Sequence, residues 1–172
     1  TDERRLQNIN TKNPISRLKT LIKDPITKLS DKKTNKIKDL LELQEQINSI
    51  ENCSLKNNSK KMILGDGNIN SPIMIIGEAP GIDEEQTGTT FMGETGKLLK
   101  KMLIAIDLKK EKIYSSYAVN FRPPNDRKPS SSEIKKYSKF LQKHISIIDP
   151  KIIVLMGSSA MESLTGLNSK IS

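Results

Sequence analysis

The chain is 172 residues long and carries 29 Lys and Arg against 20 Asp and Glu, a formal net charge of +9, with one His, one Cys and no Trp. This length suits one compact domain with a modest core and an appended tail. Lone Cys53 excludes an internal disulfide framework, His144 as the only histidine leaves no Cys/His set for a structural zinc, and no apolar run approaches the roughly 18 residues of a membrane span.

A soluble protein of a reducing compartment is expected from this, a bacterial cytoplasm, with no membrane partner. The charge is uneven. Residues 61–96 hold one basic and six acidic side chains, whereas 97–151 hold 14 and five. Such an acidic segment beside basic ones suits a carboxylate-bearing site next to a polyanion-binding surface. A lysine-rich codon bias accounts for the basicity equally well.

Residues 1–30 are polar and broken by Pro14 and Pro25, which reads as a flexible or weakly helical extension. Ser30-Asp31 can cap an amphipathic helix over 31–50, in which Ile37, Leu40, Leu41, Ile47 and Ile50 recur near helical spacing, packed on a domain spanning 51–172. Gly65-Asp66-Gly67-Asn68 is turn chemistry, and Pro72 to Gly77 is a short apolar run of the buried parallel-strand kind. An acidic loop follows, then a helix from about Gly96 to Ile106. Ile113 to Val119 is a second strand, ending in a proline-rich loop. Ser131 or Ser132 caps a helix from Glu133 to Ile148, whose His144 is read as half-buried. Lys151 to Gly157 is a third strand, and Ser158-Ser159-Ala160 opens another helix. This alternation predicts an α/β fold with a parallel sheet and functional loops at the strands' carboxyl ends.

Two nucleotide motifs fail on inspection. Gly93-Glu94-Thr95-Gly96-Lys97 has Phe91 and Leu98 where a phosphate-binding loop needs Gly and Ser or Thr. Gly65 and Gly67 precede a strand instead of following one, and Asn70 stands at the third glycine position. In the loop Gly77 to Glu85, glycines and a proline permit a tight turn against a ligand, and its carboxylates either orient a water or are simply solvated.

Four separated motifs occur in order: Gly77-Glu78-Ala79-Pro80-Gly81, Gly88 to Leu99, Arg122 to Pro129, and Pro150 to Gly157. Together they resemble the uracil-DNA glycosylase superfamily, and within it the bacterial and archaeal family 4 type, over about residues 50–172. The resemblance implies a three-layer α/β/α fold with a central parallel sheet, whose last strand is missing from this chain. It also implies excision of uracil from DNA by hydrolysis of the N-glycosidic bond, in base-excision repair. The target base leaves the stack for a tight pocket, while the enzyme holds backbone phosphates. Cleavage builds positive charge on the sugar and negative charge on the base, which calls for a positioned water, a carboxylate and donors aimed at the base.

By position, Glu78 and Ala79 match the water-activating loop and Glu84 the acidic residue lining the pocket near uracil C5. Phe91 matches the aromatic on which the base stacks, a reading preferred to a core phenylalanine because three glycines neighbour it. Gly157, Ser158 and Ser159 match a phosphate loop, which is compatible with a helix cap. Arg122, Arg127 and Lys128 are expected to hold the DNA backbone.

Three departures from the family pattern stand out. Ile50, Cys53, Phe121 and Tyr137 stand where four cysteines hold an iron–sulfur cluster, so no cluster and no other cofactor is expected, with Phe121 and Tyr137 filling the space. Tyr117 stands where an Asn reads uracil's edge, with Asn120 facing the other side of a regular strand. The family's later His-Pro motif lies beyond Ser172, so the 172-residue chain by itself is expected to be inactive or nearly so. A monomer acting on uracil-containing DNA is the main expectation. A catalytically degenerate DNA-binding relative, or a glycosylase for another deaminated base, are the alternatives.

Overall fold

The computed structural model describes residues 35–109 and 112–167; the expected extension over 1–30 and the Ser30-Asp31 cap lie outside them. The chain divides into two units, Thr1–Ile37 and Lys38–Ser172, and the sheet and the site belong to the second. Helix α1 covers residues 35–48, and its 38–48 portion buries Leu40, Leu43 and Ile47 at i, i+3, i+7 spacing. Leu43 therefore takes the place expected of Leu41, which faces solvent.

In order come α2 (Ser54–Asn58), β1 (Asp66–Gly67), β2 (Ile73–Gly77), α3 (Ile82–Thr87), α4 (Glu94–Ala105) and β3 (Tyr114–Tyr117). A 3-10 turn (Pro124–Asp126), α5 (Ser131–Ile148), β4 (Ile152–Leu155) and α6 (Ser158–Thr165) complete the unit. The acidic loop of the sequence reading thus contains a helix, α3. Helix α4 starts two residues before the expected Gly96, with extended Gly93 at its N-cap. Helix α5 is capped by Ser130 instead of Ser131 or Ser132: Ser130 Oγ accepts from the Glu133 N–H at 3.3 Å, and the Glu133 carboxylate accepts from the Ser130 N–H at 2.7 Å. This reciprocal pair satisfies two N–H groups that a helix start otherwise leaves unpaired.

The sheet order is β1-β3-β2-β4, with β2 parallel to both β3 and β4. It is mixed, not wholly parallel, because β1 runs antiparallel to β3, pairing Asp66 with Ser115 and Gly67 with Tyr114. The expected turn at 65–68 is pulled onto the sheet edge by the Asp66 carboxylate, which accepts from Thr90 Oγ1 at 2.6 Å and Ser115 Oγ at 3.0 Å. At Gly67, φ is +111° and a Cβ would overlap the Ile113 carbonyl, so only glycine fits. β4 is the outer strand on the other side, where Ile152, Ile153 and Val154 remain partly exposed. The further strand implied by the resemblance is not among the described residues, and none of the described helices is long and apolar enough to cross a membrane.

Strand periodicity sorts the core into two layers. Met74, Ile76 and Tyr114 pack with α1, Tyr137, Leu141 and Ile148 of α5, and Ala160 of α6. Ile75, Ile113 and Tyr117 face the other way, onto Phe91 and onto Leu99 and Leu103 of α4. The three-layer arrangement follows directly from this alternation.

His144 is fully buried, not half-buried, because β3 supplies it with partners: the Tyr114 hydroxyl lies 2.9 Å from Nε2 and Ser116 Oγ 3.4 Å from Nδ1. Ser116 spends its proton on the Leu64 carbonyl at 2.6 Å, so it accepts from Nδ1–H, and Tyr114 donates to Nε2. The ring is therefore neutral, and burial pushes its pKa down to about 4 from 6.5. The unfolded chain takes up this proton first, so stability is full above about pH 6.5 and falls as the pH drops towards 4, by about 3 kcal/mol. Proton NMR checks this cleanly because the sequence has a single histidine; a titration midpoint near 6.5 would contradict it.

Candidate active site

A cavity of about 340 Å³ opens at the carboxyl ends of the parallel strands, where α/β proteins place their ligand sites. Gly77, Glu78 and Ala79 line it from the end of β2, Tyr117 from the end of β3 and Met156 from beyond β4. Glu84 and Phe91 enter from α3 and the loop before α4, and Asp83, Glu94 and Asp126 make the wall acidic. Segments 77–84, 91–95, 117 and 156, far apart in the sequence, meet here because parallel strands bring the same ends together.

Glu78 is tied to the start of α6. Its Oε1 accepts from the Ser159 N–H at 2.9 Å and Ser158 Oγ at 3.3 Å, with Lys128 Nζ at 3.8 Å. Gly157 makes this approach possible: φ is +100°, and a Cβ there would overlap the Glu78 side chain. Burial by itself would raise the Glu78 pKa, yet the Ser159 N–H, the serine hydroxyls and Lys128 together hold it below the ordinary carboxylate value. The group is ionised at neutral pH. The helix cap and the matched loop of Gly157, Ser158 and Ser159 are thus one structure, filled by a carboxylate of the same chain.

Glu84 is buried, and its carboxylate is engaged with the backbone on both sides. Oε2 accepts from the Gly81 N–H at 2.9 Å, while Oε1 accepts from Met92 N–H at 2.8 Å and Gly93 N–H at 3.2 Å. Desolvation pushes its pKa up, but these N–H groups outweigh it and the value is lowered. The acid ties the start of α3 to the segment before α4.

Phe91 sits between those elements with φ +53°, in the left-handed region. It is 8% exposed and packs with Leu99, Leu103 and Tyr117, yet also lines the cavity. Phe91 is therefore a core residue despite its neighbouring glycines: Gly96, where a Cβ would overlap the Phe91 carbonyl, lets the loop fold onto α4 and tuck the ring inside. Tyr117 lies beside it, ring centroids 5.1 Å apart, and its hydroxyl accepts from the Phe91 N–H at 2.8 Å. Asn120 points away, donating to the Ile63 carbonyl at 2.9 Å, as its offset from Tyr117 requires.

The three expected cations differ in what they hold. Arg122 makes a two-pronged contact with Asp126, at 2.7 and 2.9 Å, and reaches Glu85 at 3.4 Å. Arg127 is bidentate to Glu133, at 2.8 and 2.7 Å. Lys128 is largely exposed and contacts Ser158 Oγ at 3.2 Å, beside Glu78. Of the three, Lys128 is the one adjoining the Gly157-Ser158-Ser159 loop. Sequence reading missed the anchoring roles of Asp66 and Thr90, since no local spacing connects positions 66, 90 and 115.

The four positions matched to cluster ligands do not fit an iron–sulfur cluster. Cys53 is the one thiol among them, and its Sγ is 3.1 Å from the Tyr137 hydroxyl. Phe121 meets the Tyr137 ring edge-on at 6.4 Å, and Ile50 packs against the same core. A cubane needs four donors, and among the described residues no group of three or more His, Cys, Asp or Glu is placed to hold a metal.

Comparison with known proteins matches residues 64–171 to the model of the uracil DNA glycosylase superfamily. The chain is 35% identical over 126 residues to a type-4 uracil-DNA glycosylase of Archaeoglobus fulgidus, covering 73% of this chain and 63% of that protein. It is 35% identical over 124 residues to the type-4 enzyme of Thermotoga maritima, with coverages of 72% and 65%, and 38% identical over 119 residues to that of Sulfurisphaera tokodaii, with 69% and 54%. It spans 54–65% of the length of these relatives.

Proposed function

This chain belongs to the uracil DNA glycosylase superfamily, and on that premise we propose that it hydrolyses the N-glycosidic bond of uracil in DNA. The observation that carries the reading is one cavity shared by Glu78, Ala79, Glu84, Phe91 and Tyr117 at the strands' carboxyl ends. A nucleotide flipped out of the duplex presents its base to this cavity, where Phe91 offers a stacking surface. Ionised Glu78 orients a water towards the sugar carbon, and the acidic wall stabilises the positive charge that builds there as the bond breaks. Glu84 holds the surrounding backbone. Lys128, beside the loop at 157–159 whose Ser158 hydroxyl and Ser159 N–H hold Glu78, takes a backbone phosphate, with Arg122 and Arg127 exchanging part of their carboxylate contacts for DNA.

No metal or organic cofactor enters this scheme, and the packed Cys53, Phe121 and Tyr137 cluster serves as the structural substitute for four thiolates. The test is base release by the natural gene product from oligonucleotides carrying one uracil, hypoxanthine or xanthine, with iron and acid-labile sulfide measured on the same preparation. Uracil release by iron-free protein is the expected result. Release of a purine alone would favour the alternative that Tyr117 raises, and binding without release of any base would indicate a degenerate relative.

A further inference from the structure

We propose that Tyr117 is a positioning residue that braces the Phe91 platform and does not read the edge of the base. The inference rests on the reading of Phe91 as the stacking surface. Four consecutive backbone N–H groups before α4 each donate to a side chain: Thr90 to Asp66 at 3.1 Å, Phe91 to the Tyr117 hydroxyl at 2.8 Å, and Met92 and Gly93 to Glu84 at 2.8 and 3.2 Å. A non-glycine residue at φ +53° is strained and persists only where its surroundings over-determine it. Here the acceptors of three elements do so, and Tyr117 supplies the one on Phe91 itself.

The hydroxyl has one proton and two lone pairs. It accepts from the Phe91 N–H, while the Glu84 carboxylate accepts from the next two N–H groups of the same segment. Tyr117 is buried to 4% exposure, and its ring lies against Gly77, where a Cβ would come within 2.8 Å of Cδ1 and Cε1. Its hydroxyl oxygen is thus turned to the protein backbone. An amide at this position would offer a donor and an acceptor to a base; the tyrosine offers a ring wall. Choice among deaminated bases then falls to shape and to stacking on Phe91.

The test compares the natural protein with Tyr117→Phe, which removes one oxygen and keeps the ring. Amide hydrogen exchange at residues 90–93 is expected to quicken at least tenfold; unchanged protection overturns the proposal. In uracil release, kcat/KM should fall about tenfold, mainly through KM, and should fall no further when the change is added to Phe91→Leu. Equal losses on both backgrounds would mean that the tyrosine does not act through Phe91. The ratio of uracil to hypoxanthine release should stay within threefold, and a shift beyond tenfold would show the hydroxyl reading the base. Should the unaltered protein release neither base, the proposed function fails, and the exchange measurement decides the brace by itself.

Discussion

Glu78→Gln is expected to lower kcat for uracil release by about 10²- to 10⁴-fold while leaving the fold intact, the range typical of losing a positioned general base. Glutamine keeps the shape and the oxygen that accepts from the Ser159 N–H, and removes the charge that orients the water. A loss smaller than threefold would remove Glu78 from the chemistry. The pH profile gives a second check. Because Ser159, Ser158 and Lys128 outweigh desolvation and keep the carboxylate below its ordinary value of 4.5, Glu78 stays ionised through mildly acidic pH. The acid limb of kcat/KM should therefore lie below that value, and a limb centred above pH 6 would assign the base to another group. The linked stability has the same sense: the Glu78 contribution is complete above the unfolded pKa and is lost as the pH falls through the lowered folded one.

Glu84→Ala is expected to damage stability and activity together. The change strands the N–H groups of Gly81, Met92 and Gly93. Full burial would cost about 1–3 kcal/mol for each, but solvent reaches the exposed Met92 and the half-buried glycines, so a total of about 2–3 kcal/mol is expected. In a protein of this size that lowers Tm by roughly 5–10 °C. With the platform loosened, KM for uracil-containing DNA rises. Glu84→Gln distinguishes brace from charge: its one amide oxygen can serve Met92 and Gly93, whereas its NH₂ cannot accept from Gly81, so about half the stability should return. Thermal unfolding of the two variants reads this directly, and equal midpoints for them would refute the bracing role.

Much of the architecture was legible in the residue pattern because it depends on local periodicity. The apolar run at 73–77 is a buried-strand signature, the run at 152–155 reads as a strand and forms the sheet's exposed edge, and α4 and α5 carry amphipathic stripes. The motif around Glu78 lay at a strand's carboxyl end, which is where the cavity is. Where the reading went astray, the deciding contact was distant. Asp66-Gly67 has every feature of a turn, and becomes a strand because Asp66 finds Thr90 and Ser115, 24 and 49 residues away. His144 looked amphipathic by position and is buried because Tyr114 and Ser116 complete its hydrogen bonds across the core. Phe91 is at once core and cavity wall, since the missing Cβ of Gly96 lets its loop close on α4.

Composition and order along the chain therefore settled the α/β class and the family, and marked the loops that line the cavity, because apolar spacing and motif order are properties of neighbours in sequence. The state of each polar group was decided only on folding. Arg122 and Arg127 carry the same formal charge as Lys128, yet carboxylates at 122–133 and Glu85 engage the first two and leave the lysine beside Ser158 and Glu78. Tyr117, a departure from the family's amide in one dimension, becomes in three the acceptor for the Phe91 N–H. Charge, protonation and hydrogen-bond capacity are set by what lies within about 3 Å, and at this site those partners come from segments that only the sheet brings together.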